Sequence, residues 1–574
     1  MIPKPILWIL GAMAAALAVA GAWRAWPDTI DDAHITFRYA ENWAAGYGLV
    51  FNPGEPRVEG YSNPLLLGLM AAAARMGGPS LEAAARVLGL AGFIACVAGA
   101  AGLARILSKR LAPREEGGSK CDGVTSAEME EGRKEREKSG ERGGGANGAG
   151  WNGASWLAAV VTLGHFPLLY YSITGLETGM FAGLVALGIW RYYAAGGRVD
   201  ALGAALWAAA ALSRPEGILY PALLGGVEAW KWRREKKAGE DLPREDRSGA
   251  NLPDANLPSR MRSLAWLVGV AAAFGGFLLW RHAYFGEWMP NTFTAKAPGT
   301  GALTPENAGA WASIQYLGGF LSQFCVVLPC LTMVPLFFGR SSAKSGQRGA
   351  AWDLAPLYAI VAAGLIFGLY SGGDWMPAGR YYMPIVAPVA ALGVLGLTRA
   401  LEGMAAANMS VGIRRLVATL VVFGTLTGPA YWLWEFVELR EMYPYHVMNS
   451  RTCAEAARAM RREFGEGRSI VDHRIGALGR FSGMRVIDLF GLVDKEIAQI
   501  VRRNPQYHPN IRRGDDIPEL RAVLAWRKPD LVLLLSKRSA VEMRLISLYG
   551  FQFEYRRTYP LGRDQYWLLY ERTP

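Results

Sequence analysis

The apolar residues of this chain arrive in blocks. Between Ile6 and Phe436, apolar stretches alternate with polar connections, and many approach the roughly 20 residues with which an α-helix crosses about 30 Å of hydrocarbon. With 574 residues, 51% of them hydrophobic and 20 of them Trp, the chain is too long and too apolar for one soluble core. The pattern predicts spans at Ile6–Trp23, Leu81–Leu107, Trp156–Ile173, Gly179–Tyr193, Leu202–Leu212, Gly217–Trp230, Leu264–Trp280, Tyr316–Phe338, Leu354–Tyr370, Met383–Leu397 and Leu416–Phe436. The first, Ile6–Trp23, is read as a retained helix. Two of the eleven, Leu202–Leu212 and Gly217–Trp230, are short enough to form one tight hairpin or to be partly re-entrant.

Charge orients the spans. The net charge of +12 does not point to nucleic acid, because the basic residues cluster in the connections, where they set membrane orientation. The loop Ser108–Gly150 and the loop Lys231–Arg262, which opens Lys-Trp-Arg-Arg-Glu-Lys-Lys, are the most basic. Both belong on the cytoplasmic side, and their Gly, Glu, Lys and Ser content predicts disorder. If every span crosses once, the N-terminus lies inside and the C-terminus outside, in a bacterial inner membrane. The chain divides into a helical membrane part, residues 1–437, whose outer loop 24–80 carries juxtamembrane helices, and a second part, residues 438–574. The latter alternates short β-like runs (Ser469–Val471, Arg485–Ile487, Leu531–Leu535, Gln565–Tyr570) with helical stretches (Cys453–Phe464, Ile517–Trp526). This is the pattern of a small extracytoplasmic α/β domain. The five Cys residues are scattered and form no metal or disulfide framework.

Chemistry concentrates directly after the first span, where Asp31 and Asp32 stand side by side. Two readings of this pair stand on spacing alone. Adjacent carboxylates suit general-base work, since mutual repulsion in a low dielectric raises one pKa toward neutrality. They also suit the start of a juxtamembrane helix over Thr36–Ala45, where Asp28, Asp31 and Asp32 serve as caps. Arg38 falls about two helical turns beyond Asp31. Other motifs have structural readings of their own: Arg214-Pro215-Glu216 as a turn, Asn291 and Lys296 as loop residues, Gly372-Gly373-Asp374 as a helix end, Arg380-Tyr381-Tyr382 as an interfacial anchor.

An acidic pair after the first membrane helix resembles the hallmark of GT-C membrane glycosyltransferases. The fuller text is similar to the AftB-type arabinofuranosyltransferases of mycobacteria and their bacterial relatives. It comprises DDAHITFRYAENWAAGYGLVFNPGEPRVEGYSNP from Asp31, TGLET at Thr174–Thr178, SRPEG at Ser213–Gly217, FGEWMPNTFTAK at Phe285–Lys296, GGDWMPAGRYYMP at Gly372–Pro384 and DHRIGALGRFSGMRVIDLFGLVD at Asp472–Asp494. These segments span most of the chain in order. The chain departs from that pattern at His34, where an aromatic is commoner, and in the Trp-Met-Pro-Ala after Gly372-Gly373-Asp374.

The resemblance implies a GT-C fold that moves a sugar, arabinofuranose or another pentose or hexose, from a polyprenyl-phosphate donor to a saccharide, lipid or protein acceptor on the outer face. It implies inverting chemistry with Asp31 as base, and Asp32 orienting the acceptor or a metal. Arg38, Lys296 and Arg380 are the expected partners of the phosphate. His34, Glu59, Tyr61, Asn63, Arg214, Glu216, Asn291, Asp374, Trp375 and also Trp288 are expected to shape the donor and sugar sites. No cofactor is assigned; a divalent cation (Mg, Mn or Ca) is left open, with Asp31, Asp32 and Asp374 as its ligands. The competing class is a transporter or flippase of a lipid-linked saccharide. Such proteins often carry internal repeats and midplane charges, whereas here no repeat is evident and the charges gather at one mouth. A purely structural scaffold leaves the acidic pair without a role.

The orientation is directly measurable. A membrane-impermeant maleimide added to intact spheroplasts is expected to label thiols placed in Glu438–Pro574 and to spare thiols placed in Lys231–Arg262. The reverse pattern would invert the assignment.

Overall fold

The computed structural model describes residues 4–26, 28–110, 153–240, 257–296, 310–324, 327–335, 350–373, 376, 378–442, 450–504, 515–536, 544–562 and 565–574. Helices dominate up to Met442. Among the described residues, six are long and apolar enough to cross a membrane: Pro5–Ala25, Leu81–Arg110, Pro258–Phe285, Asp353–Tyr370, Arg380–Ala406 and Val411–Glu435. A seventh results if Gly153–Leu163 and Phe166–Ile173 count as one span bent by 57°. The break falls at Gly164-His165, where His165 caps the second helix through Leu168 N and Pro167 follows in its first turn.

Eleven full spans are therefore not what the described residues present. Thr178–Ala194 and Ala201–Ser213 are helices, but fewer than the roughly 20 residues a perpendicular crossing needs. The expected Gly217–Trp230 span begins as a 3₁₀ turn, Pro215–Ile218, and continues as the helix Leu219–Glu240. That helix runs through the basic Lys231–Lys237 stretch, which the sequence reading placed in a disordered loop. Leu257–Phe285 likewise begins inside that loop, whose residues 241–256 lie outside the described ones. Most of Ser108–Gly150 does too, although the helix Leu81–Arg110 reaches into its start. Tyr316–Phe338 divides into Ala310–Ser322 and Val327–Leu331.

After residue 450 the helix Arg451–Phe464 leads into a six-stranded sheet of order β2-β1-β3-β6-β5-β4. β1 (Ser469–Asp472), β2 (Arg485–Asp488) and β3 (Leu531–Ser536) pair in parallel. β4 (Leu545–Leu548), β5 (Phe551–Gly562) and β6 (Gln565–Arg572) add an antiparallel half. β1, β2, β3 and β6 coincide with the expected runs. β4 and β5 were not expected, because Arg556-Arg557 and Pro560 interrupt any apolar alternation in β5.

The two parts meet on the helix Asp31–Ala44. One of its faces, Ala33, Phe37 and Ala40, belongs to the membrane core, while Ile35 and Tyr39 belong to the core that also holds the sheet. The helix Gly476–Ser482 after β1 seats against it. A Cβ at Gly476 would lie 1.9 Å from the Asp31 carbonyl oxygen, and one at Gly479 would lie 2.6 Å from Arg38 Nη1. Only glycine permits this approach. The expected surface helix over Thr36–Ala45 thus begins earlier, at Asp31, and is buried from Ala33 to Ala40 rather than lying exposed along the membrane.

Candidate functional site

Helical periodicity separates the two acidic residues. Asp31, His34, Arg38 and Glu41 follow a spacing of three, four and three, which makes one stripe. That stripe meets the sheet domain. The Asp31 carboxylate accepts from Gly476 N at 2.9 Å and Ala477 N at 2.8 Å, filling the place at a βα turn where helix amides bind anions. His34 lies between Ser450 Oγ at 2.8 Å and Arg480 Nη1 at 3.0 Å. Arg480 also pairs with Glu41 at 2.7 Å and Glu82 at 2.6 Å. Arg38 donates to Phe51 O at 2.7 Å, Asn52 Oδ1 at 3.1 Å, Met484 O at 3.0 Å and the Gly479 carbonyl. Its guanidinium is used up on protein acceptors, so it is not placed to meet a phosphate.

Asp32, Ile35 and Thr36 face the other way, into a cavity of about 820 Å³. Tyr61, Asn63, Glu177, Arg214, Glu216 and Arg380 line the same cavity. A chain of side-chain bonds runs from Thr36 through Asn63, Glu177 and Arg214 to Glu216. Thr36 Oγ1 donates to Asn63 Oδ1 at 3.1 Å, and Asn63 Nδ2 donates to Glu177 Oε2 at 2.9 Å. Arg214 then bridges Glu177 and Glu216 and lies over the Tyr381 ring at 5.3 Å. Burial pushes the Glu177 carboxyl up, but Arg214 and Arg380, with the Asn63 bond, hold it below the usual carboxylate range. Glu177 had no assigned role in the sequence reading beyond its place in TGLET. The signal was there: it is the only charged residue between Trp156 and Trp190, and an isolated charge within apolar helices marks a site.

The cavity's opposite side is apolar. Leu219 and Leu223 on one helix face Ala359, Ala362, Ala363, Ile366, Phe367 and Tyr370 on Ala350–Tyr370. At about 1.5 Å per residue the wall from Ala359 to Tyr370 is about 17 Å long, about half of a bilayer's hydrocarbon thickness. Ile366 is 65% and Tyr370 70% exposed, so the groove is open along this helix. Phe490 and Leu492, from the loop after β2, close the cavity from the sheet domain.

Among the described residues, Glu59, Asn291 and Trp288 do not line the cavity. Glu59 forms a buried ion pair with Arg281 at 2.7 Å, fixing the segment that carries Tyr61 and Asn63. Asn291 donates to Gly491 O at 2.6 Å and Leu492 O at 3.0 Å, holding the loop that carries Phe490. Trp288 stacks on His282 at 4.3 Å. Lys296 ends a short helix, but its side chain, like Asp374 and Trp375, lies outside the described residues. Among the described residues, no three His, Cys, Asp or Glu side chains gather as metal ligands.

Residues 440–570 match the model of a family described as Domain of unknown function (DUF8728). The match coincides with the sheet domain and leaves the cavity-bearing helices aside. Among curated proteins, none matches the chain.

The Asp31 socket carries a pH signature. Burial pushes the Asp31 carboxyl up to about 6; the Ala477 amide pulls against this and the Asp32 charge adds to it. A folded-state pKa raised above the ordinary value near 3.8 means that the folded form is favoured by protonation. The contribution is fully present below about pH 4 and is lost as pH rises through about 6. Asp31→Asn is therefore expected to flatten the dependence of Tm on pH between about 4 and 6 relative to the parent protein, as followed by scanning fluorimetry. An unchanged slope would remove Asp31 from that transition.

Proposed function

We propose that this chain is a membrane glycosyltransferase of the GT-C type, which moves a sugar from a polyprenyl-phosphate donor to an acceptor hydroxyl on the outer face. One observation carries the reading. One cavity is lined by an acidic residue at a helix start, by two guanidinium groups and by an apolar groove whose Ile366 and Tyr370 are exposed. A lipid-linked sugar phosphate has the matching parts: a long apolar tail, an anionic bridge and a polar head. The resemblance of the motifs that build this cavity to those glycosyltransferases supplies the reaction class.

In this reading the tail lies in the groove between Leu219–Glu240 and Ala350–Tyr370, and the phosphate meets Arg380, with Arg214 behind it. Guanidinium groups stabilise the charge that collects on a departing phosphate oxygen. The base is Asp32 rather than Asp31, because Asp31 is committed to the amides of Gly476 and Ala477. The Asp32 carboxylate takes the proton of the acceptor hydroxyl, and that oxygen bonds to the anomeric carbon. The bond from the anomeric carbon to the phosphate oxygen breaks, and polyprenyl phosphate leaves with the electron pair. Attack opposite the leaving group inverts the configuration. Tyr61, Asn63 and Glu216 surround the sugar, and Phe490 and Leu492 limit what enters from the sheet side.

Asn keeps the size of Asp and loses its basicity. A general base contributes about 10²–10⁴-fold to rate, so Asp32→Asn is expected to bind donor and to transfer sugar at least about a hundredfold more slowly. Asp31→Asn is expected to stay within about tenfold of the parent. The assay is purified protein with a panel of polyprenyl-phosphate pentoses and hexoses and a cell-envelope acceptor extract. Near-parental transfer by Asp32→Asn would defeat the assignment. Donor binding without transfer by the parent protein across the panel would favour the transporter class.

A further inference from the structure

Gln323 is a polar side chain with no exposure, set among the membrane helices. Burying an amide there is costly unless it is put to use. Its Nε2 donates to Gly319 O at 3.1 Å, within its own helical turn, and to Ala378 O at 2.7 Å. Ala378 stands two residues before Arg380 and has φ +62°, and Gly379 follows with φ +65°. Two consecutive left-handed residues turn the chain sharply, and only the glycine adopts that conformation without strain.

The far side of the turn is held by the same helical segment. Tyr381 N donates to Tyr316 Oη at 3.0 Å. The Tyr382 ring packs on Phe320 at 4.9 Å and on Tyr316 at 5.4 Å. A Cβ on Gly379 would lie 3.0 Å from Phe320 Cβ. The segment from Tyr316 to Gln323 thus supplies a donor before Arg380, an acceptor after it and an aromatic bed beside it. Arg380 itself is buried and lines the cavity.

We propose that Gln323 is a positioning residue for Arg380: its bond to the Ala378 carbonyl holds the left-handed turn that delivers the guanidinium to the cavity. The consequence for phosphate binding rests on the glycosyltransferase reading; the support of the turn does not. Leu has nearly the volume of Gln and suits a membrane interior, so Gln323→Leu removes the bond without opening a void. Gly at position 378 removes the strain that the bond offsets, so Ala378→Gly is the rescuing change.

The test uses the full chain in nanodiscs, with polyprenyl phosphate as the binding probe and amide hydrogen exchange over residues 376–383 as the second readout. Gln323→Leu is expected to raise the Kd for polyprenyl phosphate about tenfold, the size of one buried hydrogen bond, and to speed exchange in the turn. Adding Ala378→Gly is expected to bring Kd back to within about threefold and to slow exchange again. If Gln323→Leu leaves exchange unchanged, or if Ala378→Gly rescues neither readout, Gln323 acts by packing alone and the inference fails. If the parent protein does not bind polyprenyl phosphate but exchange still rises and is rescued, the proposed function falls and the support of the turn stands.

Discussion

The outer surface of the helix Asp31–Ala44 is where a membrane bundle and a soluble fold become one structure. Two glycines, Gly476 and Gly479, let the backbone after β1 come into contact with it. Asp31 closes on the helix amides, and Arg38 and Arg480 spend their donors across the seam. Each of these groups is costly to bury alone and inexpensive when paired. The seam therefore tolerates little rotation of the helix. Because its phase is fixed, Asp32, Ile35 and Thr36 have one place to point, and that place is the cavity.

The same logic extends inward. Asn63 joins Thr36 to Glu177, and Glu177 joins Arg214, so helices far apart in sequence are tied to the phase of Asp31–Ala44. Glu59 with Arg281, and Asn291 with the Gly491 and Leu492 carbonyls, hold the two segments that complete the walls. Several residues that looked like ligand-binding groups are fasteners. A fully buried guanidinium satisfied by carbonyls, as Arg38 is, organises a site without touching what the site binds.

Much of this was legible in the sequence. Apolar block length located the long helices, and alternation located β1, β2, β3 and β6. Tyr61, Asn63, Arg214, Glu216 and Arg380 come from separate segments and line one cavity. The phase of the acidic pair was not legible. Adjacent helical residues point about 100° apart, and sequence alone does not say which of two polar faces meets solvent, substrate or another domain. The spacing of Asp31, His34, Arg38 and Glu41 did announce a single stripe, but its partner, Gly476–Arg480, lies more than 400 residues away. Of the eleven expected spans, those at Leu202–Leu212 and Gly217–Trp230 are two that the described residues do not show as long apolar helices. One is a short helix, and the other continues into a charged helix that sequence composition assigns to a loop.

The central claim is that the stripe containing Asp31 builds the seam while the face containing Asp32 turns to the cavity proposed for the lipid-linked donor. A cryo-electron microscopy structure with polyprenyl phosphate bound tests it most directly. The account predicts phosphate density beside Arg380, with the sugar side of the cavity towards Asp32 and the tail running along Ala359–Tyr370. Phosphate density at the Gly476 and Ala477 amides, with Asp31 displaced, would contradict it.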